Sequence, residues 1–222
     1  SEINETGKPL TIGVSAFKNC INLTSVNLAQ YTETIDNSAF ENCYSLKSVM
    51  IHDNLKHIGT SAFAKCIVLS DLTLNDGLLD IGDYAFYACS KISELNLGTK
   101  LETIGNYAFA NRNPVVRVNG LPMNVPERMN KYLDEIVIPD SVTDIGENAF
   151  AFYSALTSVK LGANVKNIGA YAFKHCIALK EITLPDGITI VGKSVFYKDS
   201  AVTKVNLGKD IDEIGDYAFF GM

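Results

Sequence analysis

The sequence predicts an α/β repeat solenoid, with one parallel strand per 23-residue rung and a short helical segment on the opposite side. Three observations carry the prediction. The first is a pair, Ala-Phe, that recurs with its phenylalanine at Phe17, Phe40, Phe63, Phe86 and Phe109, then at Phe150, Phe173, Phe196 and Phe219. Every interval is 23 residues except Phe109 to Phe150, which is 41, and only Val195 replaces the alanine. The second is a set of apolar columns in the same register, such as Val26, Val49, Leu72, Leu95, Ile136, Val159, Ile182 and Val205. The third is a column of Ile35, Ile58, Ile81, Ile104, Ile145, Ile168, Val191 and Ile214, followed by glycine from Gly59 to Gly215 and by Asp36 once. A fixed period of 20 to 50 residues is the signature of stacked repeat architectures.

Each part of the unit has a physical reading. Val26-Asn27-Leu28 alternates apolar and polar, the period of a half-buried strand. The glycine after the isoleucine column suits a tight turn or a positive φ. A short polar stretch such as Asp83-Tyr84 then supplies a candidate helix cap, and Ala-Phe turns inward on a short helical segment. One unit is too small to bury its apolar side, so the rungs bury it against one another. The chain is therefore expected to be a single solenoid over residues 1–222, of about nine repeats, with an inserted loop near 110–132.

Segments such as Leu179-Lys180-Glu181-Ile182-Thr183-Leu184-Pro185 and Ile214-Gly215-Asp216-Tyr217-Ala218-Phe219 resemble the BspA-like leucine-rich repeats. Units of that family read roughly C-x-x-L-x-x-V-x-L-P…I-G-x-x-A-F. The resemblance spans the chain except the insertion and implies a leucine-rich-repeat solenoid. It further implies a surface-displayed or secreted protein of the kind found in bacteria and some protists, where some members serve adhesion to host matrix and aggregation between microbes. It brings no catalytic motif and so assigns no site residue.

Composition narrows the function classes. Apolar residues at 47% and charged residues at 20% describe a folded chain rather than a disordered one. A net charge of −6 disfavours a nucleic-acid binder, which needs a basic surface to displace counterions. No apolar run reaches the ~18–20 residues of a membrane span. The five cysteines, Cys20, Cys43, Cys66, Cys89 and Cys176, each lie three residues after the repeat phenylalanine. An odd number cannot close a complete disulfide framework, and metal sites need ligands converging on one point, not one per rung. They are read as free thiols in a small buried column, filled elsewhere by residues that include Arg112, Tyr153 and Asp199. The histidines His52, His57 and His175 complete no ligand set. No nucleophile-elbow, phosphate-loop or zinc-protease motif is present, so neither catalysis nor a cofactor is expected.

Two surfaces are candidates for binding. The outward strand positions carry Asp71, Glu94, Glu135 and Glu181, with Lys160 and Lys204 toward the C-terminal end. Paired acids perform glycoside hydrolysis at suitable separations, but a polar outward residue is expected on any half-solvated sheet. These positions hold no aromatic residue and so lack the usual anchors of an interface. A column of Tyr84, Tyr107, Tyr171 and Tyr217 runs along the other side and reads as packing between rungs, with the hydroxyls in water.

The second candidate is the insertion between Asn111 and Tyr132. Its 18 extra residues cannot form a rung in register. All three arginines of the chain are here, Arg112, Arg117 and Arg128, and with Lys131 against Glu127 they give the segment a net +3. Met123 and Met129 accompany Pro114, Pro122 and Pro126. Val115 to Val118 is read as a short strand and Glu127 to Tyr132 as a helical turn. The segment reads as a recognition loop, since arginine and methionine are enriched at interfaces; as a tolerated insertion folded back on the solenoid; or as a degenerate repeat. The apolar close at Phe219 and Phe220 suggests a piece of a longer protein or end-to-end self-association. The expected function is a non-enzymatic adhesion or interaction module, extracellular or on the cell surface, that binds a protein or glycan on another cell or matrix. The alternative is a structural spacer.

Overall fold

The computed structural model describes residues 8–111, 117–118, 121–122 and 132–222. They form a parallel-strand solenoid of about eight turns. Its backbone is a nine-stranded sheet of strands no longer than four residues: Leu10–Ile12, Thr32–Ile35, His57–Ile58, Asp80–Ile81, Thr103–Ile104, Asp144–Ile145, Asn167–Ile168, Ile190–Val191 and Glu213–Ile214. Each strand pairs in parallel with the equivalent residues of the next rung, Ile35 with Ile58 and onward to Val191 with Ile214. Ile104 pairs with Ile145 in the same way, so the ladder passes the insertion without losing register.

This sheet is not the one the alternation Val26-Asn27-Leu28 points to. That segment does form a strand, Ser25–Asn27, but its sheet is broken into three pieces: Ser25–Asn27 with Ser48–Met50 and Asp71–Leu72, Glu135–Val137 with Ser158–Lys160, and Glu181–Thr183 with Lys204–Asn206. The uninterrupted ladder instead follows the isoleucine column, and its glycines explain why. A Cβ on Gly82 would lie 2.7 Å from the backbone N of Thr60, and one on Gly146 would lie 2.5 Å from the carbonyl carbon of Gly105. None of the seven glycines of this column has a positive φ. They are there because successive rungs approach too closely for a side chain, not because a turn requires them.

The expected helical segment is absent among the described residues. Ala-Phe sits in a run of tandem turns. The residue two before each phenylalanine has φ between 53° and 61° in all nine rungs, from Ser15 to Tyr217. The residue two after it is again left-handed at Asn19, Asn42, Lys65, Ala88, Phe152, His175 and Lys198. Backbone that alternates in this way cannot continue as an α-helix, and the hydrogen bonds show what it does instead. Ala39, Glu41 and Cys43 donate within their own rung to Asp36, Ser38 and Phe40, while Ser38, Phe40 and Asn42 donate to Thr60, Ala62 and Ala64 of the next. Every amide finds a carbonyl, alternately inside and between rungs. These bonds hold the left-handed residues against the ~1–2 kcal/mol that each ordinarily costs.

Inside, all nine phenylalanines stack face to face, with centroids 4.9 Å apart at Phe17–Phe40 and 5.6 Å at Phe196–Phe219. Phe109 and Phe150, separated by 41 residues, stack at 5.4 Å and 6° like the others. The cysteine column lies beside this spine and does more than fill space. Each of the four buried thiols donates to the carbonyl of the phenylalanine one rung back: Cys43 to Phe17 at 3.1 Å, Cys66 to Phe40 at 3.3 Å, Cys89 to Phe63 at 3.2 Å and Cys176 to Phe150 at 3.5 Å. Tyr153 fills the same role, its hydroxyl 2.9 Å from the carbonyl of Phe109. All five cysteines are free thiols.

Candidate ligand-binding edge

The turns that carry Ala-Phe also present an outer edge to solvent. In rungs one to three its left-handed positions hold polar residues without rings, Ser15, Ser38 and Ser61 on one side and Asn19, Asn42 and Lys65 on the other, with Asn42 Nδ2 donating to Asn19 Oδ1 at 2.8 Å. From the fourth rung onward rings enter these strained positions, Tyr84, Tyr107, Tyr171 and Tyr217 on one side and Phe152 and His175 on the other, while Ala88, Asn148, Ser194 and Lys198 hold the rest. A large side chain in the left-handed region is a genuine outlier, and such outliers cluster where ligands are held. Tyr87, Tyr197 and Phe220, each one residue after the phenylalanine, widen the aromatic surface.

The rings pack on one another. Tyr84 and Tyr107 are parallel at 4.8 Å, Phe152 and His175 at 5.3 Å, and Tyr197 and Phe220 at 5.4 Å, while Tyr217 meets Phe220 edge-on. Lys174 lies among them, its Nζ 5.0 Å from the Tyr171 ring, 5.4 Å from Tyr197 and 6.0 Å from Phe152. Burial and the neighbouring Lys174 and Lys198 push the His175 pKa down, which favours its neutral form. The tyrosine packing read from sequence is therefore present, but it is incomplete. The column runs Tyr84, Tyr107, Asn148, Tyr171, Ser194, Tyr217, and a depression opens at each missing ring. One, of about 360 Å³, lies at Asn148 between Tyr107 and Tyr171, with Glu147 and Lys174 on its rim. The other, of about 350 Å³, lies at Ser194 between Tyr171 and Tyr217, with Lys174 and Lys193 on its rim. Asn148 and Ser194 are themselves buried at the floors.

The expected binding residues fall elsewhere. Glu135 lies in the strand Glu135–Val137 and pairs with Lys160 at 2.6 Å; Glu181 pairs with Lys204 at 3.2 Å. Part of that acidic face is thus neutralised by its own neighbours. Glu94 is exposed on a rung that forms no strand at this position, and Asp71 lies in the strand Asp71–Leu72. Of the insertion, Arg117–Val118 forms a short strand antiparallel to Leu121–Pro122. Arg112, Met123, Arg128, Met129, Lys131 and the expected helical turn before Tyr132 lie outside the described residues. On the ladder sheet, His57 Nδ1 lies 2.5 Å from Asp80 Oδ2. Among the described residues no three histidine, cysteine or acidic groups converge as a metal site would require.

A model of the BspA type leucine rich repeat region matches residues 8–122 and 128–222, with six copies of the repeat. The chain belongs to the BspA-type leucine-rich repeat family. No curated protein matches it. Among solved structures it is similar to the leucine-rich repeat protein of T. pallidum, with a TM-score of 0.53 and 23% identity over 86% of this chain and 72% of that one. It is also similar to a leucine-rich cell surface protein of Faecalibacterium prausnitzii A2-165 (TM-score 0.48, 23% identity, 90% of this chain and 64% of that one). A leucine-rich repeat protein of Bacteroides ovatus ATCC 8483 matches at a TM-score of 0.41 and 20% identity, over 96% of this chain and 80% of that one. The T. pallidum likeness establishes the fold of this family member and leaves its ligand open. No described helix is long and apolar enough to cross a membrane.

Proposed function

We propose that this BspA-type solenoid is a non-enzymatic interaction or adhesion module of a secreted or cell-surface protein, binding a protein or glycan on another cell or in a matrix. One observation carries the reading. Five of the six rungs from four to nine place an aromatic side chain on a left-handed backbone position, whereas rungs one to three hold only Ser15, Ser38, Ser61, Asn19, Asn42 and Lys65 there. Stability does not call for that exchange, since the small residues hold the same turns, whereas tyrosine and phenylalanine are the usual anchors of recognition surfaces. The basic insertion, with Arg112, Arg117, Met123, Arg128, Met129 and Lys131, and the strand-face acids Asp71, Glu94 and Glu135 are secondary candidates within the same reading. The test is a binding screen against extracellular matrix proteins, host-cell surfaces and glycans. It compares the chain with a version lacking residues 112–129, both first shown to fold. Binding by either supports the module, and loss on deletion assigns recognition to the insertion.

A spacer is the second reading, favoured by the unbroken phenylalanine stack, which makes a continuous rod of the whole array. It predicts no partner in the screen for either version.

A further inference from the structure

We infer that the aromatic edge is a two-slot binding site for an oligosaccharide capped by a carboxylated sugar. This rests on the proposal above that the chain is a binding module, and names its ligand class. The argument begins with the two gaps in the tyrosine column. Asn148 hydrogen-bonds forward to Ala170, and Ser194 to Asp216, so each gap is one rung of an intact ladder. Tyr107 and Tyr171 stand two rungs apart around Asn148, and Tyr171 and Tyr217 stand two rungs apart around Ser194. Neighbouring tyrosines stack at 4.8 Å where no rung is skipped. Two rung spacings, roughly 10 Å, leave room for one further ring in each gap. The solenoid has built a stack and omitted two of its members, and each omission leaves a slot with an amide or hydroxyl floor.

A pyranose fits such a slot. Its C–H face lies against the negative face of a tyrosine ring, and its hydroxyls both donate and accept. The first slot offers matching partners: the Glu147 carboxylate, which already takes the Tyr107 hydroxyl at 3.2 Å and Asn148 Nδ2 at 3.0 Å, together with the Lys174 ammonium. The second slot is lined by two lysines, Lys174 and Lys193, and no carboxylate. Charge complementarity therefore places an acidic sugar over Ser194 and a neutral one over Asn148. The slots are themselves two rungs apart, again roughly 10 Å, which is the offset between the first and third rings of a trisaccharide. A terminal carboxylated sugar would occupy the second slot, the middle sugar would cross Tyr171, and the third would enter the first slot. A polyproline helix offers a similar repeat, about 9 Å per turn, but its backbone presents only acceptors and so gives the Glu147 carboxylate no donor beyond Tyr107 and Asn148.

The test uses isothermal titration and saturation-transfer NMR with three probes: 3′-sialyl-N-acetyllactosamine, neutral N-acetyllactosamine and a proline-rich decapeptide. The decisive variant is Ser194→Tyr, which completes the stack on a backbone that already carries tyrosine at equivalent φ in four other rungs. Asn148→Tyr closes the other slot, and Ser61→Tyr adds a ring remote from both. The expected result is binding of the sialylated trisaccharide that weakens with salt, weakens about tenfold without the acidic sugar, falls by more than tenfold in Ser194→Tyr and is unchanged in Ser61→Tyr. Melting curves report that each variant is folded. Equal binding of the neutral sugar, or of the trisaccharide by Ser194→Tyr, overturns the inference. Peptide binding blocked by Ser194→Tyr keeps the edge as a binding surface and overturns the saccharide. A partner found in the broad screen whose binding Ser194→Tyr leaves untouched overturns the inference while the module reading stands; no partner for any version removes both.

Discussion

Asp199 gives the sharpest test of how the rungs are held together. It occupies the cysteine column in the eighth rung, fully buried, with Oδ1 accepting the Cys176 amide at 2.9 Å and Oδ2 unpaired. Elsewhere a thiol or the Tyr153 hydroxyl donates to a phenylalanine carbonyl; an ionised carboxylate has nothing to donate. Burial pushes the Asp199 pKa up from 3.8 to about 8, against the opposing hydrogen bonds from the Cys176 and His175 amides. The folded chain therefore keeps a proton that the unfolded chain gives up above its ordinary carboxylate pKa. Destabilisation begins near pH 4, grows to about pH 8 and is constant above. At ~1.4 kcal/mol per unit, the whole window is worth on the order of 5 kcal/mol. Because a solenoid opens rung by rung, the loss should appear as exchange of the C-terminal rungs before it appears in global melting. The perturbation is Asp199→Cys, which installs the column's own residue. The assay is amide exchange at rungs seven to nine, with thermal melts, at pH 5 and pH 9. His175 contributes a slope of opposite sign, because its pKa is lowered by burial and by Lys174 and Lys198, so stability falls at acid pH. The difference between wild type and variant cancels that slope and isolates Asp199. Relative to the variant, which keeps only the His175 slope, protection in wild type should fall from pH 5 to pH 9. Parallel pH profiles for the two proteins would refute the reasoning.

Other outcomes follow from the same packing. Phe86→Ala removes one fully buried ring from the middle of the spine and should cost roughly 3–5 kcal/mol; a melting shift near zero would show that the stack does not carry stability. Gly146→Ala drives a Cβ onto the backbone of Gly105, where no side chain can move aside. A loss above ~1 kcal/mol is expected in denaturant titration, whereas Gly13→Ala, with nothing within 4 Å, should be near neutral. Thiol labelling of the native chain should modify Cys20 alone. Burial pushes the Cys43 thiol up to about 11 and raises Cys66, Cys89 and Cys176 as well, while Cys20 is exposed. Rapid native labelling of two or more cysteines would contradict the buried column.

The period of Phe17 to Phe219 by itself determined the architecture, the inward phenylalanines, the single-file cysteines and the place where the insertion interrupts the array. It could do so because each rung repeats one local solution, and repetition turns a pattern in sequence into neighbours in space. What the sequence did not disclose depends on relations between rungs. The glycine column looked like a turn signal, but Gly82 and Gly146 are set by the backbone of the rung before them. Ala-Phe looked helical, yet alternating left-handed residues such as Ser38 and Asn42 hand half of the amides to the next rung. The tyrosine column was legible as a column, while its gaps at Asn148 and Ser194 read as ordinary substitutions. Only stacking makes an omitted ring into a slot, because a cavity is a property of the two neighbours that flank it and not of the residue that is small.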